Sequence, residues 1–394
     1  MSLFRSAWTK RLFGIAGAQD LIPSRHSKTV GSVNVTNDTA MRHSAVWACL
    51  RLRANMVSTM PVDVFSKQKS IDVPVPTPPV LVTPGGEKVG IKEWLYSTQV
   101  DLDRAGNCFG LITERNSLNL PSRIDLQPLN ECTVLQKDGV IRYRIAGIEY
   151  PAEKVWHEKQ YTLAGLPVGL SPVAYAAWSI GQYLSAQEFA NEWFGTGAVP
   201  KGHFRNTQLT EIAQEAATKA KADFKTSIAN NDIFVSGKDW EYLPFQAQAV
   251  GAEWLETQKY GIGDVARFFD CPGDLIDAVV SSGNITYANV TQRNLQFLIM
   301  HLAPAIVRRE DALSTLLPRP RFVKLNSSAI LRMDDLTRAQ VDQIKINSRT
   351  LAPSEAREHE NLPPFTEPQL AEFDRLFGPP KVAPVTSGTP GTGS

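Results

Sequence analysis

Residues 44–65 read SAVWACLRLRANMVSTMPVDVF, and their period changes at one residue. Val46, Ala48 and Cys49, Leu52 and Met56 recur at steps of three and four, which predicts one apolar face of an α-helix. Pro61 stops that helix, because it has no amide hydrogen to give to the carbonyl one turn back. Val62-Asp-Val-Phe65 then alternates as a short strand does. A helix running directly into a strand points to a mixed α+β domain.

Working outward, residues 1–40 are polar and mixed, with no sustained period, and read as an N-terminal arm. Leu12–Ala18 follows basic residues and ends in an A-x-A-like Ala16-Gly17-Ala18, at the minimum length for a signal segment. The arm reading is taken, for a protein made in the cytoplasm. Downstream, Pro74, Pro76, Pro78, Pro79 and Pro84 followed by Gly85-Gly86 make 71–90 a loop or linker. A helix over 91–105 comes next, then strands near 109–114, 124–128, 134–136, 141–145 and 155–157, with a turn at Asp138-Gly139. The first 165 residues thus read as one α+β domain.

Helices dominate the middle. Ser171-Pro172 pairs a hydroxyl N-cap with proline at the first helical position, and Gly195 closes a helix of roughly 36 Å. Further helices are predicted over 209–229 and 252–269, with strands at 233–235 and 240–243 between them. After Cys271-Pro272-Gly273 the stretch Ala278–Gln292 holds no charged residue. A helix of roughly 45 Å follows over 289–317, with Pro304 expected to kink it. A strand over 323–330, a helix over 334–347 and a low-complexity tail beyond Gly378 complete the chain.

Charge is balanced, with 41 Lys+Arg against 40 Asp+Glu, so the chain as a whole offers no basic surface for a tight grip on phosphates. Hydrophobic residues make up 43%, enough for packed cores. Cys49, Cys108, Cys132 and Cys271 form no C-x-x-C pair and read as free buried thiols. No apolar run approaches the ~18 residues that a membrane span requires. The search for chemistry finds no phosphate loop, since Gly237-Lys238 is followed by Asp239. Ser171 lacks the second glycine of a nucleophile elbow and is better read as a helix cap. No histidine has a zinc-spaced partner, and Glu358-His359-Glu360 reads as a solvated helix end. Asp270, Asp274 and Asp277 flank a turn where a divalent ion is conceivable, and Asp101-Leu-Asp103 is a weaker version. Helix caps and solvated faces explain both groupings. No enzyme, cofactor or metal site is expected.

Several landmarks occur in an order that carries a family resemblance. They are Ser44–Ala54 running on to Met60-Pro61-Val-Asp-Val-Phe65, Ala105-Gly-Asn107-Cys-Phe-Gly110, and Gly169-Leu-Ser171-Pro172. Gly197-Ala-Val-Pro200-Lys-Gly202 and Val265-Ala-Arg-Phe-Phe-Asp-Cys-Pro272 follow, then Ser354-Glu355-Ala-Arg357 and Asn361-Leu-Pro363-Pro364. Together they are similar to the portal proteins of HK97-type tailed phages. The C-terminal text departs from the family's Thr-x-Asn-Glu-x-x-Arg-like pattern, reading Leu351-Ala-Pro-Ser-Glu355-Ala-Arg357.

The resemblance implies a portal-type subunit with an α/β wing, a helical stem, a small α/β clip and a small helical crown. It places an arm at 1–40, the first part of the wing at 41–170, stem helices at 171–195 and 247–270, and the clip at 196–246. A tunnel loop spans 271–288, the long kinked helix and second part of the wing 289–333, C-terminal crown helices 334–377, and a disordered tail 378–394. It further implies a closed ring of about twelve subunits at a capsid vertex of the virion, a channel for packaging and ejecting double-stranded DNA. Large terminase, a head-completion or adaptor protein, and the major capsid and scaffold proteins would be its partners, with no membrane involved.

DNA must slide through such a ring, and each phosphate contact would add to a grip on it. The charge-free run therefore suits the channel, with Ser281, Ser282, Gly283, Asn284, Thr286 and Tyr287 lining it; an ordinary polar surface loop is the plainer reading. Lys201, His203, Arg205, Lys219, Lys221 and Lys225 make the clip region locally basic. That suits partner docking or DNA entry, or a solvated helix face. The alternatives to a portal are a metal-dependent hydrolase built on Asp270–Asp277, or another capsid or neck structural protein.

Overall fold

The computed structural model describes residues 20–21, 28–30, 33–137, 140–195, 202–207, 213–229, 240–244, 251–276, 287–327, 335–360 and 362–378. Residues up to 330 form one compact unit and those from 331 a second.

The N-terminal region holds more order than its sequence suggests: strand β1 (Asp20–Leu21) and a hairpin of β2 (Lys28–Val30) and β3 (Val33–Val35). Helix α1 (Ser44–Thr59) has the predicted extent but a different buried face. Ala45, Val46, Cys49, Leu50, Arg53, Ala54 and Val57 point inward, while Leu52 and Met56 are half-buried. An arginine in the middle of the buried face hides it from a count of apolar residues. β4 (Val62–Gln68) follows as expected, but β5 (Ile71–Pro74) occupies the start of the segment read as a loop. It pairs with β4 from Phe65↔Pro74 to Gln68↔Ile71 at a sheet edge, where proline is tolerated.

Helix α2 (Ile91–Ala105) is followed by β6 (Asn107–Arg115), β7 (Pro121–Gln127), β8 (Cys132–Lys137), β9 (Val140–Ile145), β10 (Ile148–Pro151) and β11 (Val155–Lys159). One sheet runs β11-β6-β7 and another β1-β8-β9-β10. Phe109, Leu129, Val134, Tyr143, Ile145 and Val155 pack in the cluster between these strands. Alternation along β8 and β9 is what sends Val134, Tyr143 and Ile145 to one side.

The predicted helix over 171–195 is two pieces, α3 (Pro172–Tyr175) and α4 (Ala177–Gly195), separated at Ala176. Val173, Ala176, Ala177, Ile180 and Leu184 are buried, as their spacing requires. The β2–β3 hairpin seats on α4: Ser185 Oγ donates to the Val30 carbonyl at 3.0 Å, and a side-chain carbon at Gly181 would fall 2.5 Å from Val30 Cβ. β12 (Gly202–Asn206) and β13 (Trp240–Pro244) pair antiparallel and bracket α5 (Gln214–Ala229). Residues 209–212 of the predicted second helix, and the strand expected at 233–235, lie outside the described residues.

Helix α6 (Gly251–Phe268) comes next, and Val265, Ala266 and the following Phe269 are buried. The single kinked helix expected over 289–317 is instead three segments. α7 (Tyr287–Gln296) passes into a π-helical turn at Phe297–Leu302, then into α8 (Ala303–Ser314). The Ala303 amide reaches back five residues to the Leu298 carbonyl. Pro304 follows directly on this turn, and it has no amide hydrogen for a carbonyl of the turn before. β14 (Arg321–Leu325), shorter than the strand read at 323–330, returns to pair with β4 at Val323↔Val64. Val64 and Val323, 259 positions apart in the chain, thereby share one sheet.

The second unit contains α9 (Asp335–Asn347), α10 (Pro353–His359) and α11 (Glu367–Phe377). Arg357, from the Ser354–Arg357 landmark, lies 3.9 Å over the Phe365 ring and donates to the Pro363 carbonyl at 2.8 Å. The two C-terminal landmarks are thus halves of one contact.

Candidate functional site

Of the predicted channel residues, Ser281, Ser282, Gly283, Asn284 and Thr286 lie outside the described residues, while Tyr287 opens α7. The flanks are described: a short 3-10 turn at Gly273–Ile276 on one side and α7 on the other. Arg267, Asp270, Asp274, Arg293, Phe297 and His301 line the cleft between them. Its polar side chains are paired. Asp270 Oδ1 lies 2.6 Å from His301 Nδ1, and Asp274 pairs with Arg293. Asp277 lies outside the described residues. Among the described residues no three His, Cys, Asp or Glu side chains gather as a metal site.

Beneath the cleft sits Arg53, 1% exposed and missed by the sequence reading. Its Nε donates to Asp103 Oδ2 at 3.2 Å, and its Nη1 donates to the carbonyls of Asp270 at 3.2 Å and His301 at 3.4 Å. Asp103 also accepts from Gln99 Nε2 at 3.0 Å and Gln160 Nε2 at 3.1 Å. A buried carboxylate survives when its oxygens are filled in this way. One turn earlier on α1, the neighbouring Cys271 together with burial pushes the Cys49 thiol up. All four cysteines are free and buried. Asp101, the other half of the Asp101-Leu-Asp103 grouping, pairs instead with Arg104 at 2.8 Å, and burial pushes its carboxyl up to about 6.

A second buried arginine, Arg309 on α8, pairs with Glu158 on β11 and with the Thr98 hydroxyl, and donates to the Leu95 carbonyl at 3.1 Å. Burial raises the Glu158 carboxyl despite the guanidinium beside it.

The landmarks at 105–110 and 169–172 turn out to be one joint. Gly106 takes φ +72, and a side-chain carbon there would fall 2.0 Å from the Leu170 carbonyl oxygen. Asn107 Nδ2 donates to the carbonyls of Ala105 at 2.8 Å and Gly169 at 3.0 Å, while its Oδ1 accepts from the Gly169 amide at 2.8 Å. His157 bridges Asn107 Oδ1 and the Tyr143 hydroxyl, both at 3.0 Å, and burial lowers its pKa to about 3, so it stays neutral. Ser171 Oγ donates to the Arg104 carbonyl at 2.8 Å and accepts from the Ala174 amide at 3.2 Å. It is a helix cap, as its sequence context indicates.

The predicted docking residues separate. His203 and Arg205 are on β12, while Lys219, Lys221 and Lys225 are on α5. Lys201 lies outside the described residues. Glu241 on β13 neutralises Arg205 at 2.8 Å, whereas Lys219 and Lys221 are exposed. Among the described residues, no helix is long and apolar enough to cross a membrane.

The portal protein of Enterobacteria phage HK97 is 24% identical over 399 residues, covering 94% of this chain and 93% of its own. The crystal structure of an HK97-family phage portal protein from Corynebacterium diphtheriae aligns with a TM-score of 0.60 at 15% identity, over 76% of this chain and 99% of that one. A chain in the neck of a native gene transfer agent particle, computed with C12 symmetry, aligns with a TM-score of 0.52 at 18% identity, over 83% and 92%. The family model described as phage portal protein matches residues 44–361, which takes in the cleft, both buried arginines and the Gly106–Ser171 joint, and this chain belongs to that family.

Proposed function

We propose that the chain builds a closed ring of about twelve copies at one capsid vertex, with an axial channel through which double-stranded DNA is packaged and ejected. The family match over residues 44–361 carries this reading. It also displaces the two alternatives: portal proteins are structural capsid components rather than enzymes, and the match is to portal proteins rather than to another shell or neck component.

Within the ring, 41–170 and 289–333 serve as the wing, 171–195 and 247–270 as the stem, 196–246 as the clip and 334–377 as the crown. Residues 271–288 approach the DNA, with Ser281, Ser282, Gly283, Asn284, Thr286 and Tyr287 at the constriction. The absence of charge from 278 to 292 supports this, since a surface that DNA slides past must not hold phosphates. Lys219 and Lys221 belong to a face that docks terminase and later the head-completion protein. Their exposure on α5 supports that role.

Negative-stain electron microscopy of the purified full chain, with mass from light scattering, tests the ring. Rings of about twelve copies with a hole wide enough for duplex DNA are expected. A small discrete oligomer with metal-dependent hydrolytic activity would overturn the assignment.

A further inference from the structure

We propose that Asp270 and His301, with Arg53 beneath them, form a clasp that holds together the two ends of the channel segment and sets where it projects. The inference rests on the channel reading above and names the residues that position that segment.

The choice of residue at the end of α6 is the first observation. The Asp270 amide donates to the Arg267 carbonyl at 3.1 Å and the Cys271 amide to the Ala266 carbonyl at 3.0 Å. With φ +52 at Asp270, this is a Schellman termination, in which the left-handed position ordinarily falls to glycine. A side chain there carries a conformational cost that glycine avoids. Asp270 has a use for its side chain, because the carboxylate meets His301 31 residues later at 2.6 Å.

The partner's position is the second observation. His301 lies in the π-helical turn at Phe297–Leu302, the one interruption between α7 and α8. Such turns alter the facing of a helix by one residue and concentrate at functional positions. Arg53 supplies the third: a single nitrogen, Nη1, reaches the main-chain carbonyls of both clasp residues. Arg53 is fixed in turn by Asp103, which Gln99 and Gln160 hold, so the clasp is tied to the buried interior of α1 and α2.

A second rung, Asp274 to Arg293, joins the same two strands of chain closer to the channel residues. Asp270 and His301 themselves are 44% and 26% exposed, so removing their contact opens no cavity in the core. What it releases is the relation between the point where the chain leaves α6 and the point where it returns to the wing.

Asp270→Gly separates this role from ordinary stability, because glycine suits the backbone and only the carboxylate is lost. In the full-length protein, amide hydrogen exchange read by mass spectrometry should become about tenfold faster across Gly273–Ile276 and Tyr287–Gln296, with α1 and β6 unchanged. The thermal midpoint should stay at or above that of the parent. Asp270→Asn tolerates the same backbone and still reaches His301, so it should restore parental exchange to within about threefold. In infected cells, Asp270→Gly should lower DNA-filled particles about tenfold while rings still form, and Asp270→Asn should not. Unchanged exchange in Asp270→Gly, a uniform rise with a lower midpoint, or undiminished filling from intact rings would each overturn the clasp. Failure of the parent protein to form rings would remove the channel reading instead, and leave the exchange comparison standing as a test of the contact itself.

Discussion

His157 and His43 show what burial does to single titratable groups in this fold. His157, enclosed between Asn107 and Tyr143, is lowered to about 3 by burial, with the charge of Lys159 acting in the same direction. His43 is lowered by burial to about 4; its Nδ1 accepts from the Ala45 amide at 3.1 Å, and its ring lies 3.9 Å from that of Tyr183. Each is neutral in the folded state over a range where the unfolded chain, titrating near 6.5, takes up a proton. Stability is therefore intact above about pH 6.5 and falls as pH drops, by up to about 1.4 kcal/mol per pH unit for each histidine. The loss levels off near pH 4 for His43 and near pH 3 for His157. Urea midpoints measured from pH 7 to 4 should show this slope, and His157→Gln should flatten it. A midpoint in His157→Gln with the parental pH dependence would contradict the assignment.

Among secondary-structure elements, buried ion pairs do what apolar contacts alone do elsewhere. Arg309 draws together α8, α2 and β11 through Glu158, Thr98 and the Leu95 carbonyl. Removing one partner of such a pair leaves an unmatched charge in the interior. Arg309→Met is expected to cost about 3–5 kcal/mol, and the double variant with Glu158→Gln to recover part of it. Chemical denaturation of the four-membered cycle measures both. If Arg309→Met were near neutral, the pair would not be what joins these elements. These residues were poorly legible because periodicity counts apolar positions. On α1 that count selected Leu52 and Met56, while the inward positions were Arg53 and Val57. The π turn was equally hidden, since Phe297–Leu302 reads as good helix and only the backbone shows the wider winding.

For the molecule as a whole, the α7–α8 region leaves an apolar stripe uncovered. Leu295, Ile299, Met300 and Val307 are exposed, Met300 by 66%. Isolated exposed hydrophobics are ordinary, but four along one helical run suit the contact between copies in the proposed ring. In a ring the contact is heterologous, so each copy presents two different faces. Met300→Glu is expected to shift the assembly toward smaller species at equal protein concentration, while circular dichroism and the thermal midpoint stay close to parental. Rings of unchanged mass and stability in dilution would place the subunit contact elsewhere.

The local alternation of hydrophobic period, the prolines and the caps were enough to locate α2, β6–β9, the Ser171 cap and the charge-free run, because those signals act within a few residues of where they are written. The order of the landmarks was enough for the family. Why those landmarks exist was decided only by tertiary structure. A side-chain carbon at Gly106 would strike the Leu170 carbonyl and one at Gly169 the Gly106 carbonyl, Asn107 ties Ala105 to Gly169, and β14 lies beside β4. Arg53 reaches two carbonyls that sequence separates from it by more than two hundred positions. A residue's buried partners depend on which surfaces meet when the chain closes on itself, and no spacing along the chain encodes that distance.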